Sequence, residues 1–104
     1  MAESVARKYE PFSHPLRVLI LALLLAHGRL SWTALMKELG KLVGPLNPNT
    51  LAFHLKKLVE SGYVVKSGGV EELYYEVSEP ERLQQLEEIR NIVELIRAKS
   101  VEGS

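Results

Sequence analysis

The stretch that decides the fold is NTLAFHLKKLVESGYV, which runs from Asn49 to Val64. Its leucines recur at three- and four-residue steps, a spacing typical of a helix with one buried face. Gly62 ends the helix, and an aromatic and β-branched run follows at once. The opposite face carries amides, a hydroxyl and two lysines. We interpret it as a helix packed on one side and offered to a groove of nucleic acid on the other.

A rotation of about 100° per residue sorts this helix further. Asn49 falls on the outer face in the first turn, where its amide suits pairing with adenine, although it is equally suited to cap the helix. Phe53 also points outward and has two interpretations: contact with thymine methyl groups, or cover by Trp32 and the preceding helix. Lys56 and Lys57 suit contacts with phosphate.

Two further helices are expected before this one. The first runs from about His14 to His27, with Ser13 as its N-cap and Pro15 in its first turn. It is apolar all round, so it must be enclosed on every side, partly by a second subunit in a chain of this size. The second is capped by Ser31 and ends either near Gly40 or before the Gly44-Pro45 pair, and Asn47 or Pro48 opens the third.

After Gly62 the pattern changes to a hairpin and a last helix. Residues 63–66 and 73–77 read as two strands joined by a connection that contains Gly68-Gly69. Ser78 is expected to cap the last helix, with Pro80 in an early position. Its apolar stripe is wide for a solitary helix, so we expect it to pair with a second copy. The predicted dimer contacts on the first and last helices are Leu19, Leu23, Leu83, Leu86, Ile89, Val93 and Ile96.

The amino-acid composition excludes several classes of function. The chain of 104 residues contains 46% hydrophobic and 25% charged residues, as in one ordinary globular domain. Cysteine is absent, which excludes disulfides, zinc fingers and cysteine-ligated metal sensors. Aspartate is absent too, and we see neither a phosphate-binding loop nor a catalytic grouping of side chains, so we expect no enzyme, no metal and no cofactor.

The charges are divided along the chain. Formal net charge is +0, but residues 1–62 hold eight Lys or Arg and four Glu, whereas residues 63–104 hold five and nine. A basic half facing a polyanion would account for this division, and an ordinary solvated surface would as well. The apolar run 16–26 is too short to cross a bilayer and is interrupted by Arg17, so we expect a cytoplasmic protein that does not enter a membrane.

The order of helix, helix, helix, hairpin and helix, with Asn-Thr-Leu-x-x-His-Leu-Lys-Lys-Leu-x-x-Ser-Gly-Tyr-Val, resembles the ArsR-like winged helix-turn-helix transcription regulators, especially small archaeal members. The resemblance implies a mainly α fold with a small β-hairpin: a winged helix-turn-helix core at residues 14–78 and a C-terminal dimerisation helix at 79–104, in one domain. It also implies that the helix at about 47–61 enters the major groove of double-stranded DNA. His54 stands where the family has histidine, so we expect a structural or phosphate-contacting role rather than metal binding.

The function implied is a homodimeric, sequence-specific regulator of transcription. The residues expected to contact DNA are Asn47, Asn49, Thr50, Phe53, His54, Lys56, Lys57 and Lys66. The chain departs from the family pattern at two places. The connection 41–46 is long, which indicates either an extended second helix or a rebuilt turn, and the wing tip carries Glu71 and Glu72, which are poor phosphate contacts. The alternative is a winged-helix module that binds protein instead of DNA. A small-molecule effector would fit between the outer helices, but no residue specifies one.

Overall fold

Five helices and three strands make up residues 14–68 and 71–102, the part of the chain that the computed structural model describes. The mainly helical fold with a small hairpin and a C-terminal helix is thereby confirmed. The elements in chain order are α1 (Pro15–His27), β1 (Arg29–Ser31), α2 (Trp32–Val43), α3 (Pro48–Glu60), β2 (Val64–Gly68), β3 (Leu73–Val77), α4 (Pro80–Gln84) and α5 (Glu87–Glu102).

Helix α1 is the centre of the core. Its N-cap is His14, whose Nδ1 accepts a hydrogen bond from the Leu16 N–H at 3.1 Å, and the expected cap Ser13 lies outside the described residues. Arg17, Val18 and the whole run 20–25 are buried, so the predicted enclosure on every side is confirmed. The chain supplies most of that enclosure itself, because α5 and the sheet pack over the faces of α1. The contribution expected from a second subunit stays a prediction.

Helices α2 and α3 form the helix-turn-helix. The Ser31 hydroxyl caps α2 as predicted, accepting from the Ala34 N–H at 3.1 Å. Helix α2 continues through Gly40 to Val43, the later of its two predicted ends, and stops where Gly44 adopts φ 86°. The connection is therefore short, because the additional residues extend the helix. Asn47 caps α3, and Gly62 turns the chain away from it with φ 84°.

The hairpin belongs to a three-stranded antiparallel sheet of order β1-β3-β2 within the described residues. Strand β1 was not predicted, because three residues between two helices show no alternation. Strand β2 also runs on to Gly68 instead of ending at Lys66. Val64 lies opposite Val77 and Lys66 opposite Tyr75, so these four side chains share the face of the sheet toward the helices.

The C-terminal segment is two helices, which corrects the prediction of one. Ser78 does not cap α4: its hydroxyl donates to the Gly62 carbonyl oxygen at 2.6 Å, and Glu79 occupies the cap position without a side-chain cap. Helix α5 packs along α1 in the same subunit. The side chains it and α4 bury there are Leu83, Ile89, Val93 and Ile96, while Leu86 lies exposed between the two helices.

Candidate nucleic-acid interface

Helix α3 has the two faces that its sequence predicts. Leu51, Leu55 and Leu58 are buried against the core. The residues on the far side are all exposed, and they are Asn49, Ala52, Phe53, Lys56 and Glu60. Because no part of the described chain covers this side, the helix presents a continuous surface about three turns long to its surroundings.

The beginning of α3 assigns different roles to its two asparagines. The Asn47 Oδ1 accepts a hydrogen bond from the Asn49 N–H at 2.8 Å, so Asn47 is the cap. The interpretation of Asn49 as the cap was therefore wrong, and its exposed amide has no structural task at the helix start. Contact of Asn49 with a base edge stays a prediction. Thr50, the next residue, is half-buried beside it.

Phe53 stands out on this face because 52% of its side chain is exposed. Its ring makes an edge contact with the His54 ring, with centroids 5.4 Å apart. The Arg17 Cζ lies 5.9 Å from the Phe53 ring centroid and the Lys57 Nζ lies 5.7 Å from it. Phe53 therefore leans on basic residues of α1 and α3 rather than being covered by Trp32. The exposed ring can contact thymine methyls while a phosphate approaches the half-buried Lys57 beside it.

Under Phe53 lies a buried polar pair that joins α1 to α3. The Arg17 Nε donates to the His54 Nδ1 at 3.0 Å, and both side chains are buried. Burial, with His14 and Arg17 close by, lowers the pKa of His54 below its usual value, so the ring is neutral at pH 7 and its Nδ1 is free to accept. The burial of His54 and its bond to Arg17 support the structural role. Contact of His54 with DNA stays a prediction.

Lys56 and Lys66 flank a groove between α3 and the hairpin, here named the α3–hairpin groove. Its volume is about 320 Å³, and its lining is Trp32, Ala52, Leu55, Lys56, Val59, Glu60, Lys66 and Tyr75. Lys56 comes from α3 and Lys66 from β2, and both are exposed. The structure thus brings together two predicted DNA-contacting lysines that are ten positions apart in the sequence. Lys57 lies on the other side of α3, half-buried beside Phe53.

Sequence reasoning missed the part that two arginines take in this surface. Arg17 lies in an apolar run of the sequence, and nothing in that run indicates its contacts with His54 and Phe53. Arg29 is in the unpredicted strand β1, and its Cζ lies 4.2 Å from the Tyr74 ring centroid on the outer face of the sheet. The Tyr74 hydroxyl donates to Glu72 Oε2 at 3.3 Å, next to the exposed acidic tip. Only the pairing of β1 with β3, once known, brings Arg29 to the wing.

The predicted dimer residues lie mostly inside the subunit. Leu23 is buried in α1 and Leu19 is half-buried. Together with the four buried side chains of α4 and α5, these two leucines leave little apolar surface for a partner. The participation of all six residues in a dimer stays a prediction. The exposed apolar side chains of this region are Leu86 and Leu95, and Leu95 is exposed over 63% of its surface.

The residues that the structure describes form neither a metal-binding cluster nor a membrane-spanning helix. Within residues 14–68 and 71–102, no three His, Cys, Asp or Glu side chains group so as to hold a metal ion. None of the described helices combines the length and the apolar character needed to cross a bilayer.

With this geometry established, comparison with known families decides the assignment. A model of winged helix-turn-helix DNA-binding domains matches residues 14–65. The chain belongs to the winged helix-turn-helix DNA-binding family. The matched range includes α1, the helix-turn-helix α2–α3 and the start of the wing, so the family assignment covers the elements that carry the exposed basic face. No curated protein sequence matches the chain.

Solved structures share this winged-helix fold at low sequence identity. M. tuberculosis Rv0081 is 21% identical with a TM-score of 0.68, over 96% of this chain and 95% of that one. The AntR antimony-specific transcriptional repressor is 20% identical with a TM-score of 0.62, over 99% and 84%. NadR in complex with 4-hydroxyphenylacetate is 22% identical with a TM-score of 0.58, over 98% and 73%. In each comparison the similarity extends beyond the matched domain to α5.

Proposed function

We propose that this winged helix-turn-helix protein is a homodimeric regulator of transcription that binds double-stranded DNA sequence-specifically, with α3 in the major groove. The observation that carries the proposal is the outer face of α3, which the described part of the chain leaves open and which has cations on both sides. A major groove admits one α-helix and displays a distinct pattern of donors and acceptors for each base pair. A helix capped by Asn47, with the amide of Asn49 free in its first turn, meets that requirement.

The residues divide into two kinds of contact. Asn49, Thr50 and Phe53 face the groove and are proposed to read base edges and thymine methyls. Lys56, Lys57 and Lys66 are proposed to bind phosphates, which position the helix without reading sequence. The buried Arg17–His54 pair holds α3 against α1 and so fixes the angle at which α3 is presented.

A two-fold dimer would set two α3 helices for successive major grooves, about 34 Å apart. Leu95 on α5 and Leu86 just before it are exposed apolar side chains, and they give the surface on which a second copy would pack. AntR is described as a transcriptional repressor, and by analogy this chain would regulate transcription. We further propose an ArsR-like protein of the small archaeal type, acting in the cytoplasm and without catalytic activity.

Titration of labelled DNA fragments at several salt concentrations tests this function. The logarithm of the binding constant should fall linearly with the logarithm of salt concentration, because bound lysines release counterions. Lys56→Ala and Lys57→Ala should each reduce the slope by about one unit. Lys37→Ala, an exposed lysine on α2, is the matched control and should leave the slope unchanged. Binding that does not depend on salt, or variants with the same slope as the wild type, would refute the proposal.

The alternative function is recognition of a protein through the same face. The exposed ring of Phe53 favours it, because large exposed side chains often anchor protein interfaces. Exposed Glu71 and Glu72 and a net charge of +0 favour it as well. Absence of gel retardation with random genomic fragments at low salt, together with copurification of a defined partner that Phe53→Ala abolishes, would establish this alternative.

A further inference from the structure

The α3–hairpin groove has an apolar floor that binding of phosphate does not need. Leu55 and Tyr75 in its lining are buried, and Trp32 and Val59 are half-buried. Its volume of about 320 Å³ lies within the range of small-molecule sites, at the lower end. A pocket of this size and lining fits one aromatic ring with a short substituent.

The rim of the groove carries the charge. Lys56 and Lys66 provide two ammonium groups, and Glu60 provides one carboxylate. Although Glu60 follows Lys56 by one helical turn, neither lysine has a carboxylate oxygen within 4.0 Å in the described part of the chain. The rim therefore has a net charge of one positive unit and two uncommitted donors. Such a rim favours a ligand with a single negative charge.

Strand register directs Lys66 to this site. Lys66 lies opposite Tyr75 on β3, and Val64, two positions earlier in β2, is buried on the same face. Alternate residues of a strand point to the same side, so Lys66 extends from the helix-facing side of the sheet. Neighbours on that side are apolar core residues. A lysine in this register brings its ammonium group over the groove instead of into the solvent behind the sheet.

Tyr75 adds a third polar group to the groove. Its side chain is only 6% exposed. Its hydroxyl has no hydrogen-bond partner among residues 14–68 and 71–102. Burial raises the pKa of Tyr75, so the phenol stays protonated and can donate. No fully buried side-chain N or O atom of the described residues lacks a partner, so the hydroxyl is open to the groove that Tyr75 lines, and a ligand oxygen there can accept from it.

We propose that the α3–hairpin groove binds a small aromatic monocarboxylate, with its ring between Trp32, Val59 and Tyr75 and its carboxylate between the two lysines. The bound carboxylate would occupy Lys56 and Lys66, which the proposed function assigns to phosphate, so the ligand would weaken binding to DNA. The predicted weakening of DNA binding rests on the proposed function. The predicted binding of the carboxylate does not, because it concerns the free protein.

Trp32 reports directly on the site, since it is the only tryptophan of the 104 residues. Tryptophan emission of the full-length protein would be followed during titration with phenylacetate, with acetate and phenylethanol as the two controls. Phenylacetate should change the emission with a dissociation constant of roughly 0.1–1 mM, which is realistic for so small a ligand. Equal affinity for phenylethanol would show an apolar crevice only, and equal affinity for acetate an anion site only. Either result, or no saturable change, would overturn the proposal.

Three variants locate the ligand. Lys66→Gln should weaken phenylacetate about threefold to fivefold, as expected for one exposed ionic contact. Tyr75→Phe should weaken it by about fivefold, as expected for one hydrogen bond, and it leaves the packing of the ring intact. Lys37→Gln, away from the groove, should bind as the wild type does. Unchanged affinity in both groove variants would place the ligand elsewhere and refute the assignment.

A second titration separates the two halves of the proposal. Saturating phenylacetate should weaken DNA binding at constant ionic strength in the wild type, and less so in Lys66→Gln. If phenylacetate binds but the affinity for DNA stays the same, the competition is refuted and the ligand site stands. If the protein binds no DNA even without ligand, the proposed function fails, whereas the fluorescence titration still decides whether the groove binds the acid.

Discussion

The buried Arg17–His54 pair predicts that acidification weakens the fold. Neutral His54 accepts the 3.0 Å hydrogen bond from the Arg17 Nε, and protonation would remove that acceptor and place a second charge beside the guanidinium. Burial first, then His14 and Arg17, lowers the pKa of His54 in the folded state. In the unfolded chain its pKa has the ordinary value of about 6.5. Between those two pKa values the unfolded chain binds more protons than the folded chain.

The sign and the size follow from that difference. The contribution of His54 is fully present above about pH 6.5, decreases as the pH falls below it, and levels off below the folded-state pKa. One proton allows a slope of at most about 1.4 kcal/mol per pH unit. A loss of about 1 kcal/mol would lower the midpoint of thermal unfolding by roughly 4–8 °C in a domain of this size.

Urea unfolding between pH 7.5 and 5.5, at one protein concentration, measures the effect. His54→Gln keeps an acceptor for Arg17 but does not titrate, so its unfolding free energy should decrease less with pH than that of the wild type. His27→Gln removes an exposed histidine from the far end of α1 and should retain the wild-type slope. The reasoning fails if wild type and His54→Gln show parallel curves, or if His27→Gln removes the pH dependence.

Three further predictions concern the helix cap, the core and the dimer. Asn47→Ala should lower the unfolding free energy by about 1 kcal/mol because it removes the cap of α3. Asn49→Ala should change the unfolding free energy by less than about 0.5 kcal/mol and should relax DNA selectivity. Equal destabilisation of the two variants in urea unfolding would contradict these different roles. Leu58→Ala should cost about 2–5 kcal/mol in the same melts, since it leaves a cavity under α3; a smaller loss would mean that the core closes around the gap. Leu95→Glu should leave helicity intact and yield monomers by light scattering, and an unchanged mass would exclude the exposed side of α5 as the interface.

The spacing of apolar residues and the capping and glycine residues at helix ends predicted most of the fold. The leucine spacing in 51–58, the serine before α2 and the glycines after α1 and α3 are local signals, and each matches an observed boundary. The errors occurred where long-range contacts decide the outcome. Strand β1 has three residues and exists because β3 pairs with it. Ser78 has the composition of a cap but bonds to Gly62, sixteen positions away, because the hairpin brings the two together. The apolar stripe of α5 is covered by α1, which its own spacing cannot reveal.

The candidate site was predictable in part for the same reason. The outward face of α3 follows from helical rotation alone, and the residues on it are exposed as expected. His54 lies about 60° from Leu51 on the helical wheel, so a face assignment that treats all polar residues as outward misplaces it. Its burial depends on Arg17, thirty-seven positions earlier in another helix. The α3–hairpin groove likewise depends on strand register, since a shift of one residue would turn Lys66 to the opposite face.

The position of the basic residues explains how a chain with no net charge can bind DNA. The lysines proposed to contact phosphate lie on α3 and on the neighbouring strand β2, whereas Glu71 and Glu72 lie at the wing tip. Contact should therefore be compact and should involve few phosphates. Three per subunit correspond to a slope of about −3 in a plot of log binding constant against log salt concentration, and six per dimer to about −5. The salt slope of the wild type thus distinguishes a subunit that binds DNA alone from a two-fold pair, and a slope near −3 would mean that the proposed dimer does not place both α3 helices on the same DNA.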